Sequence, residues 1–440
     1  MLAAFVRAFR TPDLRNKLLF TLSIIVLFRL GSQIPTPGVS YPLVQSCLES
    51  RDATGDATGG FLNLANLFSG GALLQLSVFA LGIMPYITAS IIVQLLTVVI
   101  PRFEELKKEG QAGTTKMTQY TRYLTIGLAI LQSATLVTFA RNPSSLFGPQ
   151  CTNILTDSSF ITILIMVLTM TAGTGLIMWF GELITDRGVG NGMSLLIFIS
   201  IAATFPSALW AIKDNNGWGT FLGVILLGMF VIAAVVFVEQ SQRRIPVQYA
   251  KRMVGRRMYG GTSTYIPLKV NMANVIPVIF AASLMALPGL IAQFNTDPTQ
   301  VPPGWVQWIQ NNLVSGDTAA YAIVYVTLII FFTFFYVSIT FNPTEVADNM
   351  KKYGGFIPGI RAGRPTAEYL NYVITRITVP GAIYLAIVSL IPLIAIAAVD
   401  ADQNFPFGGT SILIIVGVGL ETVKQIEAQL QQRNYEGFLR

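Results

Sequence analysis

Long apolar segments without charged residues alternate with short polar connections along most of this chain. Since ~20 apolar residues are enough for a helix to cross a bilayer, such segments are predicted as membrane spans. Ten of them stand out, so the predicted fold class is an all-α integral membrane protein with ten transmembrane helices. The predicted spans lie near residues 18–37, 73–100, 121–140, 159–181, 193–212, 218–238, 273–294, 320–341, 377–399 and 410–421.

The stretch from Phe61 to Ile100 differs from an ordinary span. From Ala72 onward it carries no charged residue, and Gly82 and Pro85 interrupt it near its middle. Its lead-in, residues 61–71, is too short to cross the membrane and too apolar for a solvated loop. Irregular backbone at membrane depth is tolerated only where protein or a water-filled cavity surrounds it. The stretch therefore predicts a lead-in that folds back into the membrane, beside a cavity.

Composition and charge support the membrane assignment and orient the chain. Of 440 residues, 52% are hydrophobic and only 12% are charged, which is typical of an integral membrane protein. Nearly all of the 29 Lys and Arg residues fall in the two termini and in the loops after the even-numbered spans. By the positive-inside rule, both termini are predicted to be cytoplasmic. Arg29 lies well inside the first span, and we interpret it, with Lys17, as holding this topology.

The sequence offers no constellation of residues suited to catalysis or metal binding. It contains no histidine and only two cysteines, which excludes zinc sites and Cys/His nucleophile pairs. The glycine-rich loop at residues 188–192 lacks the Lys-Ser/Thr partner of a phosphate-binding loop, so it predicts a turn at a helix start. We therefore expect no enzyme activity, no metal and no cofactor.

The two cysteines lie in predicted outer loops. Cys47 belongs to the polar loop 39–60 and Cys151 to the next outer loop, so both face the oxidising side of the membrane. A disulfide between them is permitted there, and two unpaired thiols are the open alternative. The loop 39–60 itself is assigned no role.

Two large cytoplasmic loops, residues 240–271 and 342–376, are predicted to project from the membrane. In the first, Ile245, Val247 and Tyr249 alternate along the chain and a second strand-like run follows at 263–270, which predicts a β-hairpin with a basic face. The second contains a helix-like piece and then a tip rich in Gly and Pro.

The basic residues of these loops are candidates for docking an anionic partner. Charges that only fix topology need to lie near span ends, whereas these lie on extended loops. The candidates are Arg243, Arg244, Lys251, Arg252, Arg256, Arg257 and, at the tip of the second loop, Arg361.

The chain divides into two halves of five predicted spans each. The second span of one half is interrupted at Gly82 and Pro85, and the second span of the other at Pro277 and Pro288. Matched interruptions indicate an inverted repeat with a site between the halves, although Pro and Gly are also generally commoner in membrane helices. We predict a pseudo-symmetric clamshell with halves 1–212 and 218–440, joined by a hinge loop at 213–217.

The predicted cavity favours a hydrophobic constriction over a binding site for a small solute. A secondary transporter of inverted-repeat fold, the alternative function, normally needs ionisable residues inside the membrane, and these are nearly absent. An aliphatic constriction instead seals by excluding water, which suits a large and variable cargo such as an unfolded polypeptide. From periodicity alone, lipid contact or helix packing is the better interpretation of the same side chains. The candidate residues, called the pore ring below, are Ile83, Ile87, Met193, Ile197, Ile279 and Ile414.

Several long motifs resemble those of the SecY family, the channel subunits of the protein translocon, from about Phe9 to the end of the chain. They include FSGGALLQLSVFALGIMPYITASIIVQLL, KKEGQAGTTKMTQYTRY, GELITDRGVGNGMSLLIF, QRRIPVQYAKR, PLKVNMANVIPVIFAASL, FNPTEVADNMKKYGGFIPGIR and QQRNYEGFLR. The resemblance implies an hourglass channel with a plug, a ring of aliphatic residues, and a lateral gate to lipid between spans 2 and 7. It implies a pore ring made of the six residues named above.

The resemblance also assigns a plug and a gate. The plug position is residues 61–72, with Phe61, Leu62, Leu64, Leu67, Phe68, Ser69, Gly70 and Gly71. Polar gate residues are implied on spans 2, 3 and 7 at Thr88, Gln132 and Asn271, and helix faces place Ser283 opposite Thr88.

The partners and location follow from the same resemblance. It implies small SecE and SecG subunits that brace the bundle, and an energy source outside the chain, the SecA motor ATPase or the ribosome. Ribosomal RNA would then be the anionic partner of the basic loops. The cargo would be signal sequences and nascent polypeptides, with membrane lipids at the gate. The implied location is the cytoplasmic membrane of a bacterium.

Overall fold

The computed structural model describes residues 9, 11–54, 66, 68–141, 143, 151, 154–157, 159–249, 252–254, 257–259, 263–294, 303–314, 318–399 and 409–438. Helices dominate this part of the chain, as the apolar pattern predicts. The longer helices in chain order are α1 Pro12–Gln33, α2 Tyr41–Thr54, α3 Met84–Val99, α4 Pro101–Lys108, α5 Gln111–Arg141, α6 Phe160–Arg187, α7 Gly192–Gln240, α8 Ile276–Phe294, α9 Gly304–Ile309 with a π-helical turn Gln310–Val314, α10 Ala319–Thr340, α11 Pro343–Lys352, α12 Arg364–Val399 and α13 Gly409–Phe438.

Helices overlap all ten predicted spans, but they do not all pass the same test of length and hydropathy. Among the described residues, six helices are long and apolar enough to cross a membrane. The bent pair α3 and α4, which meet at an angle of 100°, would add a seventh. The first, seventh and tenth predicted spans are covered by α1, α8 and α13, and these three helices are not among the seven. The structure therefore shows a multi-spanning helical protein, and the full count of ten stays a prediction.

The second predicted span is only half helical. Residues 70–83 form consecutive turns, and helix α3 begins at Met84 with Pro85 in its first turn. Gly82 has a φ of 56°, in the left-handed region that glycine adopts readily, so the helix cannot extend back through it. The predicted interruption at Gly82 and Pro85 is thus confirmed, whereas the helix predicted from residue 73 is wrong. Apolar composition alone does not distinguish a helix from irregular backbone enclosed by protein.

The predicted hinge loop at residues 213–217 coincides with a break in the helix geometry at Gly217. Helix α7 runs from Gly192 to Gln240, and Gly217 inside it has non-helical angles, φ 81° and ψ 177°. Lys213 lies over the rings of Trp210 and Trp218, with its Nζ 4.1 Å and 4.8 Å from their centroids. The break separates two helices, Gly192–Asp214 and Gly217–Gln240, each long enough to span.

Helix contacts follow the same order in both predicted halves. Helix α5 contacts α3 and α6, and helix α10 contacts α8 and α12. These are the second, third and fourth spans of one half and the matching spans of the other. Helices α3 and α8 also contact each other. The order is what two matched halves would give, although the division at 212 and 218 stays a prediction.

The two large loops that are predicted to be cytoplasmic form one small unit. Strand β1, Gln242–Tyr249, pairs antiparallel with β4, Ser263–Lys269, which confirms the predicted hairpin. A short hairpin of β2, Arg252–Val254, and β3, Arg257–Tyr259, lies between them in sequence. Strand β5, Gly355–Phe356, comes from the other loop and pairs with the free edge of β1.

Apolar side chains from both loops pack together under this sheet. Ile245 and Val247 of β1 are buried as their alternation predicts, and Ile357 and Leu370 from the second loop and helix α12 join them in one cluster. The sequence analysis treated the two loops as separate units. The pairing between β1 and β5 leaves no local signal in the sequence of either loop.

The two loops that are predicted to face outward are joined covalently. A disulfide links Cys47 and Cys151, with 5.8 Å between their Cα atoms. Cys47 lies on helix α2, so part of the loop predicted as a polar connection is helical. A backbone bridge between Val39 and Leu155 joins the same two loops nearby. Of the two alternatives left by the sequence, the structure has the disulfide.

Candidate functional site

The six pore-ring residues come together in one apolar cluster. Ile83 directly precedes α3, Ile279 lies on α8 and Ile414 on α13, and all three side chains are buried. Ile197 of α7 is also buried, and Ile87 and Met193 are partly buried against the same cluster. Elements that are far apart in sequence therefore converge here. We call this group of residues and its neighbours the central cluster.

The central cluster also contains residues that the sequence pattern did not single out. Phe28 of α1 stacks on Phe79 with ring centroids 5.9 Å apart, and the ring of Phe180 meets Phe79 edge-on at 6.5 Å. Ile24, Ile177, Ile184 and Ile201 are buried in the same cluster. The six pore-ring side chains are uncharged and apolar, so the group offers no ligand to an ion.

The described end of the predicted plug lies against the central cluster. Phe68 is buried among the residues of that cluster, and a Cβ at Gly82 would lie only 3.1 Å from the Cα of Ser69. The hydroxyl of Ser69 donates to the carbonyl of Asn66 and accepts from the N–H of Leu73, both at 3.0 Å. The plug candidates Phe61, Leu62, Leu64 and Leu67 lie outside the described residues.

Arg29 contacts this segment directly. Its Nη1 donates to the carbonyl oxygen of Gly70 at 3.1 Å, across 41 positions in sequence. The sequence analysis assigned Arg29 a role in topology only, and it did not predict this hydrogen bond. No local signal could have revealed one, because the sequence gives no distance between α1 and the plug.

The four gate candidates occupy different environments. Thr88 is half-buried on α3 and its hydroxyl donates to the carbonyl of Met84 at 3.0 Å. Gln132 is half-buried on α5. Ser283 lies on α8, and its buried hydroxyl has no hydrogen-bond partner among the described residues. None of these contacts crosses from α3 to α8 within the described part of the chain.

Asn271 lies before helix α8 rather than on it, since that helix begins at Ile276. Its side chain is buried and its Nδ2 donates to Oε1 of Glu239 at 2.6 Å and to the carbonyl of Asn274 at 3.2 Å. Placing Asn271 on the seventh span is therefore wrong. Both of these partners lie in the second predicted half of the chain.

A polar cavity lies beside Glu239 that the sequence pattern did not indicate. It has a volume of about 230 Å³ and opens along one face of α13. Four charged residues line it, together with Asn274 and apolar and polar residues of α13. The charged residues are Glu239, Lys269, Glu421 and Lys424.

The described docking candidates of the first loop lie on its two hairpins. Arg243 and Arg244 are exposed on β1, and the guanidinium of Arg244 lies 4.8 Å from the ring centroid of Tyr265. Arg252 and Arg257 belong to the paired strands β2 and β3. The remaining candidates, Lys251 and Arg256, lie outside the described residues.

Arg361 sits on a defined turn between β5 and α12. Gly359 and Gly363 on either side have φ values of 83° and 104°. The carbonyl of Arg361 accepts from the hydroxyl of Thr366 at 2.9 Å, and Thr366 is buried. The Arg361 side chain is exposed, and its guanidinium makes no hydrogen bond to any described residue. A side chain that capped its own loop would show such a bond.

Comparisons with known proteins agree with this architecture. The SecY family profile matches residues 77–423. The protein translocase subunit SecY of Streptomyces scabiei is 66% identical over 446 residues, covering 100% of both chains. Its counterpart in Mycobacterium bovis is 59% identical over 444 residues, again covering both chains fully.

Solved structures share the fold at lower sequence identity. A protein-conducting channel matches with a TM-score of 0.61 and 18% identity, covering 94% of this chain and 91% of that one. The channel of a canine ribosome-channel complex from the endoplasmic reticulum matches with a TM-score of 0.60 and 19% identity, with the same coverage. On the family profile and on full-length identity of this level, the chain belongs to the SecY family.

Proposed function

We propose that this chain forms the pore through which unfolded polypeptides cross a bacterial cytoplasmic membrane, with its pore ring as the constriction. The observation that carries the proposal is the convergence of six aliphatic side chains from α3, α7, α8 and α13 in the central cluster. An aliphatic constriction has no chemical preference among polypeptide side chains. It seals by dewetting and yields to any segment that displaces the plug.

We propose further that the chain has ten spans, with both termini in the cytoplasm. The helices that overlap all ten predicted spans support this, as does the one-sided distribution of Lys and Arg. Both large loops then lie in the cytoplasm, where their shared sheet presents Arg243, Arg244 and Arg361 to a partner. The disulfide lies on the opposite, oxidising side.

The lateral gate is proposed to lie between α3 and α8. These helices contact each other, and Ile91 of α3 packs in one cluster with Val278, Ala282 and Met285 of α8. This seam is apolar and joins the two predicted halves. An apolar segment in the pore would gain about 0.8 kcal/mol for each CH₂ that it buries in lipid, whereas a polar segment has no such driving force.

The energy for transport is proposed to come from partners rather than from this chain. The sequence has no nucleotide-binding loop. A SecA motor and the ribosome are the proposed sources, with SecE and SecG as bracing subunits. The solved channel of the canine ribosome-channel complex is such an assembly, and it supports the ribosome as a partner.

A secondary transporter was the alternative function. The pore-ring side chains are apolar, and the one cation placed inside the first span, Arg29, is directed at a backbone carbonyl. A coupled transporter would need ionisable groups facing its central site. The family membership and the central cluster favour the protein-conducting channel.

Reconstitution tests the proposed function. Vesicles that contain this chain, SecE and a SecA motor should protect an unfolded precursor from added protease when ATP is present. Vesicles with SecE alone are the matched control and should give no protection. Uptake of a small solute, without protection of any precursor, would contradict the channel and favour the transporter.

The gate is tested by a reversible crosslink. Cysteines at Thr88 and Ser283, in a chain whose Cys47 and Cys151 are serine, should join under oxidation and block precursor transport. The expectation requires Cα atoms within roughly 4.4–6.8 Å of each other. Each single-cysteine variant is the control, and reduction should restore transport. Efficient crosslinking with normal transport would argue against a gate at this seam, and failure to crosslink would argue against this register.

A further inference from the structure

Arg29 is an unusual residue for its position. It lies on α1 within the first predicted span, and its side chain is half-buried. Ionisable residues inside a membrane are costly and normally have a partner. Among the described residues no carboxylate lies within ion-pair distance of Arg29. Its partner is instead the carbonyl oxygen of Gly70, at 3.1 Å from Nη1.

The carbonyl that Arg29 binds belongs to the hinge of the predicted plug. We call residues 69–71, Ser69 to Gly71, the plug hinge. Gly70 and Gly71 have φ values of 68° and 89°, so two consecutive residues adopt the left-handed conformation. This conformation turns their carbonyls out of any regular hydrogen-bonding pattern, and a buried carbonyl still needs a donor. The guanidinium of Arg29 supplies that donor for Gly70.

The plug hinge is held closely on two sides. A Cβ at Gly70 would lie 2.9 Å from Nη1 of Arg29 and 3.2 Å from the Cα of Ser200 on α7. On its other side, Ser69 approaches Gly82 at the start of α3. Arg29 therefore fixes the hinge between α1, α7 and the turn that leads into α3. A movement of the plug that displaces Gly70 would break the bond to Arg29.

We propose that Arg29 is a positioning residue that latches the plug hinge in the closed channel and so sets how strongly a signal sequence must act to open it. This inference rests on the proposed function, in which residues 61–72 are the plug. A charge-assisted hydrogen bond is stronger than a neutral one, so its loss should shift the balance toward the open channel. Export should increase most for precursors with weak signal sequences, because these signal sequences contribute the least free energy to opening the channel.

The test measures resting ion conductance and the export of a precursor whose signal sequence has a shortened apolar core, each per assembled complex. Arg29→Gln should raise both by about tenfold, the scale of one charge-assisted hydrogen bond. Arg29→Lys retains the charge and a donor and should lie between Arg29→Gln and the unchanged chain. Lys17→Gln is the matched control, because it removes a charge from an exposed position at the other end of α1.

A second pair of variants tests the contact itself. Gly70→Ala should also raise conductance, because its methyl group would collide with the guanidinium of Arg29. In the Arg29→Gln background, Gly70→Ala should have a smaller additional effect on conductance. The clash with the guanidinium is then relieved, and only the close contact with Ser200 remains. Full additivity of the two substitutions would contradict a direct contact between them.

A reference variant distinguishes two outcomes: an incorrect role for Arg29 alone, and an incorrect assignment of the plug. Phe68→Ala removes the described plug side chain from the central cluster and should leak if the plug seals the pore. Leakage by Phe68→Ala with a sealed Arg29→Gln would overturn the latch alone. Sealed channels in both variants would overturn the plug assignment and the latch with it. Poor accumulation of Arg29→Gln with normal conductance per complex would assign Arg29 to folding or topology instead.

Discussion

Replacing Ile414 with asparagine is expected to make the closed channel leak ions and relax its selection of signal sequences. Ile414 is 1% exposed within the central cluster, and Ile279 on α8 lies in the same cluster. A buried amide without a partner costs about 1–3 kcal/mol, unless water enters to solvate it. Since about 1.4 kcal/mol changes an equilibrium tenfold, the water-filled state should gain on the order of tenfold in population. Ile279→Asn should behave in the same way.

Planar-bilayer conductance of the reconstituted complex measures this effect. Ile414→Leu keeps the volume and apolar character, so it should remain sealed. Ile383→Asn is the matched control for adding an amide, because Ile383 on α12 is 50% exposed and faces away from the core. Its conductance should not change. Unchanged conductance in both Ile414→Asn and Ile279→Asn would remove these residues from the pore ring.

The apolar pattern predicted the helices well because each span must satisfy its own backbone hydrogen bonds in lipid. The same constraint does not apply to residues 70–83, which the rest of the protein encloses. There the pattern predicted a helix, and the chain instead forms turns up to residue 83, with Gly82 in the left-handed region. Glycine and proline correctly marked the interruption, but they did not show on which side of it the helix would form.

The sequence predicted which residues form the candidate site, but it did not predict the contacts between them. Motif positions named six pore-ring residues that the structure brings into one cluster. The bond from Arg29 to Gly70, the pairing of β5 with β1 and the cavity beside Glu239 all depend on distances between remote segments. Sequence periodicity reports the face of an element that is buried, and it carries no distance to a partner element.

Arg361→Glu is expected to abolish motor-driven translocation while leaving folding, topology and SecE association intact. The turn that carries Arg361 is held by its neighbours, since Thr366 donates to its carbonyl and Gly359 and Gly363 adopt left-handed angles. The guanidinium itself makes no hydrogen bond to any described residue, so its planar fork can engage a carboxylate or phosphate. Loss of a closely paired charge at an interface costs about 2–5 kcal/mol, which corresponds to a loss of roughly 30-fold or more in binding.

Two further substitutions separate docking from a structural role. Arg361→Lys keeps the charge but not the fork, so it should be partly defective. Arg364→Glu is the matched control, because Arg364 is also exposed and its only ion pair within the described residues is the exposed contact to Glu368. Exposed pairs of this kind contribute about 0–1 kcal/mol, so Arg364→Glu should translocate nearly normally.

The deciding measurement is translocation per assembled complex, with Thr366→Val as the standard for a weakened turn. That substitution removes the hydroxyl that holds the Arg361 carbonyl, which should cost about 1 kcal/mol of stability. If Arg361 serves its own loop, Arg361→Glu will resemble Thr366→Val, with accumulation and activity falling together. If it docks a partner, accumulation will be normal and activity lost. Normal translocation by Arg361→Glu would end the docking hypothesis, because a reversed charge cannot retain an anionic partner.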